Sequence, residues 1–239
     1  MSEAVEATGF DTSLPGMSQT QWSNWANQAA AWVPPAGHIV VVAPHPDDET
    51  LGAGGLIFTY ARSHTKVTVI SVTDGELACA EVPELAAVRR CELVSAMREL
   101  EVAQTDIVRL GLPDGAVASH EIELANWLAR CIPDGAIMVA PFEFDGHPDH
   151  DTAGRACRAA AGVRGFALVR YPIWGWYRGA RELFMERRGV RYLLDRPARQ
   201  AKLRALAQFR SQLDDRPGGA IVPAHVLEYF QRPYEMFLL

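Results

Sequence analysis

Residues 38–43 read HIVVVA and residues 44–49 read PHPDDE, and the junction between them decides the fold. A short, unbroken, β-branched run is what a strand buried on both faces requires. The polar loop opens into a helix-compatible stretch over 49–63, and KVTVISVT at 66–73 supplies a second strand. Strand, loop, helix and strand in that order make a parallel crossover unit.

Working outward, the alternation continues. Helices are expected over 83–100, 119–131 and 150–161, and strands over 106–110, 136–140 and 166–171. After Pro172 the rhythm breaks into an aromatic loop (YPIWGWYR, 171–178), a strand pair around 182–194, a helix over 197–213 and a short ending at 234–238. Ahead of the first strand, residues 1–36 read as an appendage with a helix over 19–32. That helix places Trp25 and Trp32 on one stripe before Pro34-Pro35 stops it. The expected organisation is an N-terminal helical appendage, 1–36, and a main domain, 37–239. The fold class is α/β: a Rossmann-like three-layer fold with a mostly parallel sheet and a C-terminal extension.

Composition fits. The chain has 239 residues, 49% hydrophobic and 22% charged, which suits a folded domain with a sizeable core and excludes a disordered chain. No apolar run approaches the ~20 residues of a membrane span, and the start, MSEAVEATGFD, has no secretory pattern. A cytoplasmic location is expected. Cys79, Cys91, Cys131 and Cys157 are scattered without a C-x-x-C, so neither a disulfide framework nor a cysteine-built zinc site is expected. The net charge of −6 conceals a basic segment: residues 155–216 hold 15 Lys and Arg against five acids. Nucleic acid is not expected as a partner, because the chain is acidic overall and carries no reading motif.

In open α/β sheets, ligands bind beyond the carboxyl ends of the strands. Two of those ends concentrate the reactive residues: Pro44 to Glu49 after the first strand, and FDGHPDHD at 144–151 after the fourth. His45, His147 and His150, three of the seven histidines, lie there among five aspartates. Imidazoles and carboxylates from two loops over one sheet edge form a mixed N/O set that zinc accepts. Pro46 and Pro148 stiffen the loops. Neighbouring side chains in an extended turn point to different sides, so one of Asp47 and Asp48 is expected on the metal and the other toward its water. His147 and His150 divide in the same way.

These motifs resemble the LmbE/PIG-L family of metal-dependent N-acetylglucosaminyl de-N-acetylases. Further matching segments are Thr73-Asp74-Gly75-Glu76, Arg89-x-x-Glu92, Leu112-Pro113-Asp114-Gly115, and a stretch from Lys202 to Ser211-Gln212. The likeness covers roughly residues 38–213. It implies metal ligands His45, Asp48 and His150, Asp47 as general base, and His147 as stabiliser of the oxyanion, ideally protonated, or as helper of the leaving amine. It also implies substrate contacts from Arg89 and Asp114. Asp149 or Asp145 is expected to accept the other ring proton of a histidine and fix its tautomer. The cofactor implied is Zn²⁺, with Fe²⁺ or another divalent metal as the alternative, and the substrate a small amino-sugar glycoconjugate. A homo-oligomer is compatible with the sequence.

Other readings stand beside these. Asp74, Glu76 and Asp145 could be loop caps, and Arg89 a surface helix residue. Gly52, Gly54 and Gly55 read as small residues for close helix–sheet packing, since they lack the dinucleotide spacing. The aromatic loop suits either a sugar-stacking face or a lid on the core. Arg170 and Arg178, flanking it, are expected to be solvated beside a neutral substrate; the competing reading is that they meet an anionic or aromatic aglycone. The competing functions are a metal-dependent hydrolase of another bond, phosphoester or other amide, and an inactive sugar-binding module.

Overall fold

A computed structural model describes residues 16–79, 82, 84–178, 189–215 and 219–239. The strands are β1 (Ala30–Ala31), β2 (Ile39–Ala43), β3 (Val67–Ser71), β4 (Ile107–Arg109), β5 (Ile137–Pro141), β6 (Ala167–Tyr171), β7 (Gly189–Leu193) and β8 (Tyr234–Leu238). They form one sheet in the order β1-β7-β8-β6-β5-β2-β3-β4, with β8 alone antiparallel to its neighbours. The longer helices are α1 (Gln19–Gln28), α2 (Asp48–Arg62), α3 (Leu85–Glu99), α4 (Glu121–Cys131) and α5 (Pro148–Arg164). After them come α6 (Trp174–Arg178), α7 (Arg196–Leu206), α8 (Arg210–Leu213) and α9 (Ala224–Leu227), of which only α7 matches α1 and α4 in length.

The alternation along β2 explains the layers. Ile39 and Val41 enter one core with Leu56 and Ile57 of α2, Leu93 of α3 and Ala201 of α7. Val40 and Val42 enter the other with Leu124 and Leu128 of α4 and Ala153 and Ala156 of α5. Every residue of β2 and β5 is buried, and each fully buried Val or Ile contributes about 1.5–3 kcal/mol. The α/β class and the mostly parallel sheet expected from the sequence are present.

Strand order positions the site. From β2 the chain extends through β3 and β4 on one side, then crosses back to β5 and β6 on the other. β2 and β5 are neighbours, with Ile39 opposite Ile137 and Val41 opposite Val139. The loops after them diverge from a topological switch point, where such sheets form their crevice.

Several boundaries differ from expectation. The first helix ends at Gln28, so Trp32 lies beyond it, and the paired face carries Trp22 and Trp25. Ala30–Ala31, expected within that helix, instead forms a strand beside β7. The aromatic segment contains α6, and Tyr171, Ile173, Trp176 and Tyr177 are buried; it packs as core, with Trp174 half-buried. Of the expected strand pair, the second member is β7, and residues 182–188 lie outside the described residues. The short ending is a full strand, β8, inserted between β6 and β7. Gly52 and Gly55 do permit close packing: a Cβ there would stand 2.2 Å from the Tyr171 ring and 2.4 Å from Leu194.

Candidate metal centre

The loop after β2 turns sharply into α2, and Asp47 makes the turn. Its φ of 126° is a strained value for a residue with a side chain. Both ends of the residue are pinned. Its N–H donates to Glu49 Oε2 at 3.1 Å, and its carbonyl accepts from Thr50 and Leu51 at 2.9 and 2.8 Å. Asp48 is the first helical residue, and its Oδ2 accepts the His45 N–H at 2.9 Å. The loop after β5 enters α5 through His147, whose Nδ1 accepts the Asp149 N–H at 3.2 Å as an N-cap, with Pro148 in the first turn.

Three atoms converge between the loops. His45 Nδ1 stands 3.2 Å from His150 Nε2, and Asp48 Oδ2 lies 3.3 and 3.2 Å from them. Ligand atoms about 2.0–2.1 Å from a tetrahedral zinc stand roughly 3.3–3.4 Å apart. His45, Asp48 and His150 can therefore hold a metal ion.

The opposite ring nitrogens are each backed by carboxylate. His150 Nδ1 meets Asp145 Oδ2 at 2.9 Å, and Asp145 also accepts the N–H groups of Ile173, Trp174 and Gly175 at 2.8–2.9 Å. His45 Nε2 lies 3.2 Å from Asp149 Oδ2 and 3.1 Å from Asp114 Oδ1. Asp149 is held in turn by the N–H groups of Gly115 and Val117. Carboxylates in these positions fix the tautomer that turns the other nitrogen toward a metal.

Electrostatics agree with that fit. Asp47, Asp48, Asp114, Asp145 and Asp149 are all buried within this corner, a costly collection of charge unless a cation sits among them. Burial opposes charging of His45 and His150, yet the adjacent carboxylates raise both rings, His150 to about 9. Asp48 is likewise held well below the usual carboxylate range by the two imidazoles despite its burial. The corner therefore favours positive charge at the point where the ring nitrogens meet.

Asp47 and His147 differ in character from those three. Burial pushes Asp47 up to about 7, against the pull of Arg89 and with Asp48 adding to the rise. Burial also pushes His147 down to about 2, with His150 and His45 adding to the fall. Because Nδ1 accepts the N-cap bond, His147 is a neutral ring with its proton on Nε2. That corrects the expectation of a protonated ring.

The residues expected near the substrate are anchored by the chain itself. Arg89 is buried rather than on the surface, donating to the Pro46 and Gly75 carbonyls and lying 3.3 Å from Asp47 Oδ2. Gly75 permits this approach: its φ is +64°, and a Cβ would stand 2.2 Å from the guanidinium. Asp114 accepts the Leu77 N–H in addition to meeting His45. Asp74 pairs with Arg90 and Arg109, and Glu76 accepts the Asp114 N–H. Arg170 is spent on Glu143 and the Leu239 carbonyl, whereas the Arg178 side chain lies outside the described residues.

Sequence reasoning gave Glu49 no role, although it stood in the quoted motif. It is completely buried and carries the Asp47 backbone, and burial pushes its carboxyl up to about 8. Glu92 was also unassigned; it accepts both the N–H and hydroxyl of Ser211, joining α3 to α8.

Comparison with known proteins agrees with this architecture. The GlcNAc-PI de-N-acetylase (PIG-L) family model matches residues 40–161, and the protein belongs to that family. The chain is 33% identical over 130 residues to a probable N-acetyl-alpha-D-glucosaminyl L-malate deacetylase 2 of Bacillus subtilis (strain 168), covering 50% of this chain and 58% of the relative. It is 31% identical over 170 residues to a 1D-myo-inositol 2-acetamido-2-deoxy-alpha-D-glucopyranoside deacetylase of Rhodococcus erythropolis, covering 59% and 57%. It thus spans somewhat over half the length of these relatives. Among solved structures, an N,N'-diacetylchitobiose deacetylase from Pyrococcus horikoshii aligns with a TM-score of 0.56 at 24% identity, covering 75% of this chain and 72% of that one. A teicoplanin deacetylase in a zinc-inhibited form aligns at 0.60 and 16%, covering 84% and 97%. These two establish the shared fold.

Proposed function

We propose that the protein is a zinc-dependent deacetylase that removes the acetyl group from an N-acetylglucosamine-type glycoconjugate. The observation that carries this reading is the convergence of His45 Nδ1, Asp48 Oδ2 and His150 Nε2, with the Asp47 carboxylate beside them but outside the trio. Three protein ligands suit a catalytic rather than a structural ion. A divalent metal bound there supplies Lewis acidity and a water that loses its proton near neutral pH.

The chain's own groups perform the rest. Asp47, oriented by Arg89 and by its pinned backbone, takes a proton from the attacking water. The His147 Nε2–H donates to the acyl oxygen as negative charge builds on it, a contribution of about 3 kcal/mol for a well-placed donor. Asp47 then returns its proton to the departing nitrogen, so water and amide become acetate and amine. Asp145 and Asp149 orient the rings of His150 and His45. Arg89 and Asp114 act on substrate through Asp47 and His45, which they touch, and residues 37–239 carry the whole of this machinery.

Phosphoester hydrolysis through two metals is disfavoured. Among the described residues, the second group that could hold an ion, His45, His147 and Asp149, shares His45 with the first. Serving both ions would require that ring to lose both protons. The deciding experiment is acetate release by zinc-loaded protein from N-acetylglucosaminyl malate, its inositol counterpart and N-acetylglucosamine, beside a phosphomonoester. Amide turnover that is lost in Asp47→Asn supports the proposal, and phosphoester turnover without acetate release overturns it.

A further inference from the structure

We propose that the buried Lys202–Glu235 ion pair is a positioning device for the metal site, setting the direction of the first turn of α2. The inference rests on the reading above that Asp48 is a metal ligand.

Helix α2 is broken at Ala53, whose φ of −141° and ψ of 16° are not helical. In an unbroken helix the Gly55 N–H would donate to the Leu51 carbonyl, four residues back. Here it donates to Glu235 Oε1 at 2.7 Å, while Lys202 Nζ, 2.7 Å from that same oxygen, donates to the Leu51 carbonyl at 2.8 Å. The ion pair is spliced into the bond it replaces. The next N–H, of Leu56, goes to Glu235 Oε2 at 2.9 Å. Lys202 and Glu235 are 2% and 3% exposed. Side chains inserted into the ladder in this way kink a helix.

The segment ahead of the break is one turn long. It begins at the strained Asp47, carries Asp48 and ends at Gly52 against the Tyr171 ring. Its direction therefore sets where the Asp48 carboxylate stands relative to His150, which arrives on a different helix. Lys202 comes from α7 and Glu235 from β8, both outside the matched stretch 40–161. Stability alone is a poor explanation for the pair, because well-packed apolar residues often replace a buried ion pair without loss. Removing both side chains would also free Gly55 N–H and Leu51 carbonyl to bond each other. The helix does not need the pair; the kink does.

The test is a Co²⁺ titration of apo-protein followed by visible absorption. It compares wild type, Asp48→Ala, Glu235→Gln and the double variant Lys202→Met/Glu235→Leu, with thermal melts of each apo form. The double variant should melt at or above wild type, yet bind Co²⁺ about 10–100-fold more weakly, the usual effect of disturbing groups behind the ligands, with an altered absorption band. Wild-type affinity and spectrum in a folded double variant would overturn the inference. Should the double variant fail to fold, Glu235→Gln decides: a lowered melting point with an unchanged cobalt spectrum overturns it, and a changed spectrum supports it. If wild type binds no Co²⁺, or Asp48→Ala binds it unchanged, the metal-centre reading itself fails, a result distinct from the others.

Discussion

The corner at the ends of β2 and β5 and the opposite flank of the sheet, where α1 and β1 meet β7 and β8, are built on different physical terms. In the corner the buried side chains are mostly carboxylates and imidazoles, and the His45 and His150 rings each have a carboxylate behind them. On the flank, Trp22 lies edge-on to Trp25 and Trp176, with centroids 5.3 and 4.4 Å away, and Trp32 packs likewise on Phe237. Aromatic contact of this kind is apolar burial plus a modest directional gain. The corner fixes what the molecule binds; the flank fixes how firmly it stays folded. Substitutions should therefore separate the two properties.

The widest separation is expected for Asp48→Ala. It removes the carboxylate that both His45 and His150 approach, and metal content should fall to background along with deacetylation. Elemental analysis after dialysis against excess zinc checks this. Retained stoichiometric metal would show that a different set, such as His45, His147 and Asp149, holds the ion.

Asp47→Asn comes next and divides the corner within itself. Metal content should stay at wild-type level, while kcat falls by about 10²–10⁴, the usual share of general acid–base catalysis. Metal content and kcat measured on one preparation distinguish this from a ligand role. Loss of metal in Asp47→Asn would exchange the roles of the two aspartates.

On the flank, Trp22→Ala should cost about 3–5 kcal/mol of stability, as large aromatic truncations do, while kcat and metal affinity stay unchanged in the folded fraction. A thread between the regions that runs through Trp22 is the segment leading into α6: the Trp22 indole N–H donates to the Trp176 carbonyl, and the N–H groups of Ile173, Trp174 and Gly175 hold Asp145. A drop in metal affinity in Trp22→Ala would show that strain travels along that short helix.

The same contrast explains what could be read before the structure. HIVVVA and PHPDDE were legible because a doubly buried strand needs an unbroken apolar run, and because ligand loops gather residue types that have little other reason to cluster. Strand order was not legible: nothing local to residues 137–141 says that β5 returns to lie beside β2. Nor was the role of β8, since the five residues Tyr234–Leu238 pair only with strands far back in the chain. Trp32 was misplaced because seven-residue spacing is also met by chance, and the helix ends four residues earlier. Arg89 is a case where the structure removes an alternative. With Arg90 beside it, surface exposure stood as an alternative to a functional role, whereas the Gly75 and Pro46 carbonyls hold the buried guanidinium.

The smallest expected effect belongs to Asp145→Asn, and it tests whether the carboxylates behind the rings act as charges or only as props. Asp145 receives four donors: the His150 ring N–H and three backbone N–H groups. An asparagine has one acceptor oxygen, so its NH₂ group must face two donors: the Ile173 and Gly175 N–H groups now at Oδ1, or the Trp174 N–H and the His150 ring now at Oδ2. If it keeps the His150 contact, the ring stays oriented but loses the anion that favours its metal-facing lone pair. Metal affinity should then fall by about 10–100-fold, with kcat of the fully loaded enzyme nearly preserved. If the ring is instead released, kcat should fall even at saturating zinc, because His150 no longer presents Nε2 beside Asp48. Zinc titration of activity separates the cases, since the first raises the zinc concentration needed and the second lowers the plateau. Affinity and plateau both equal to wild type would show that the helix and loop alone hold His150, and that Asp145 serves the backbone of residues 173–175.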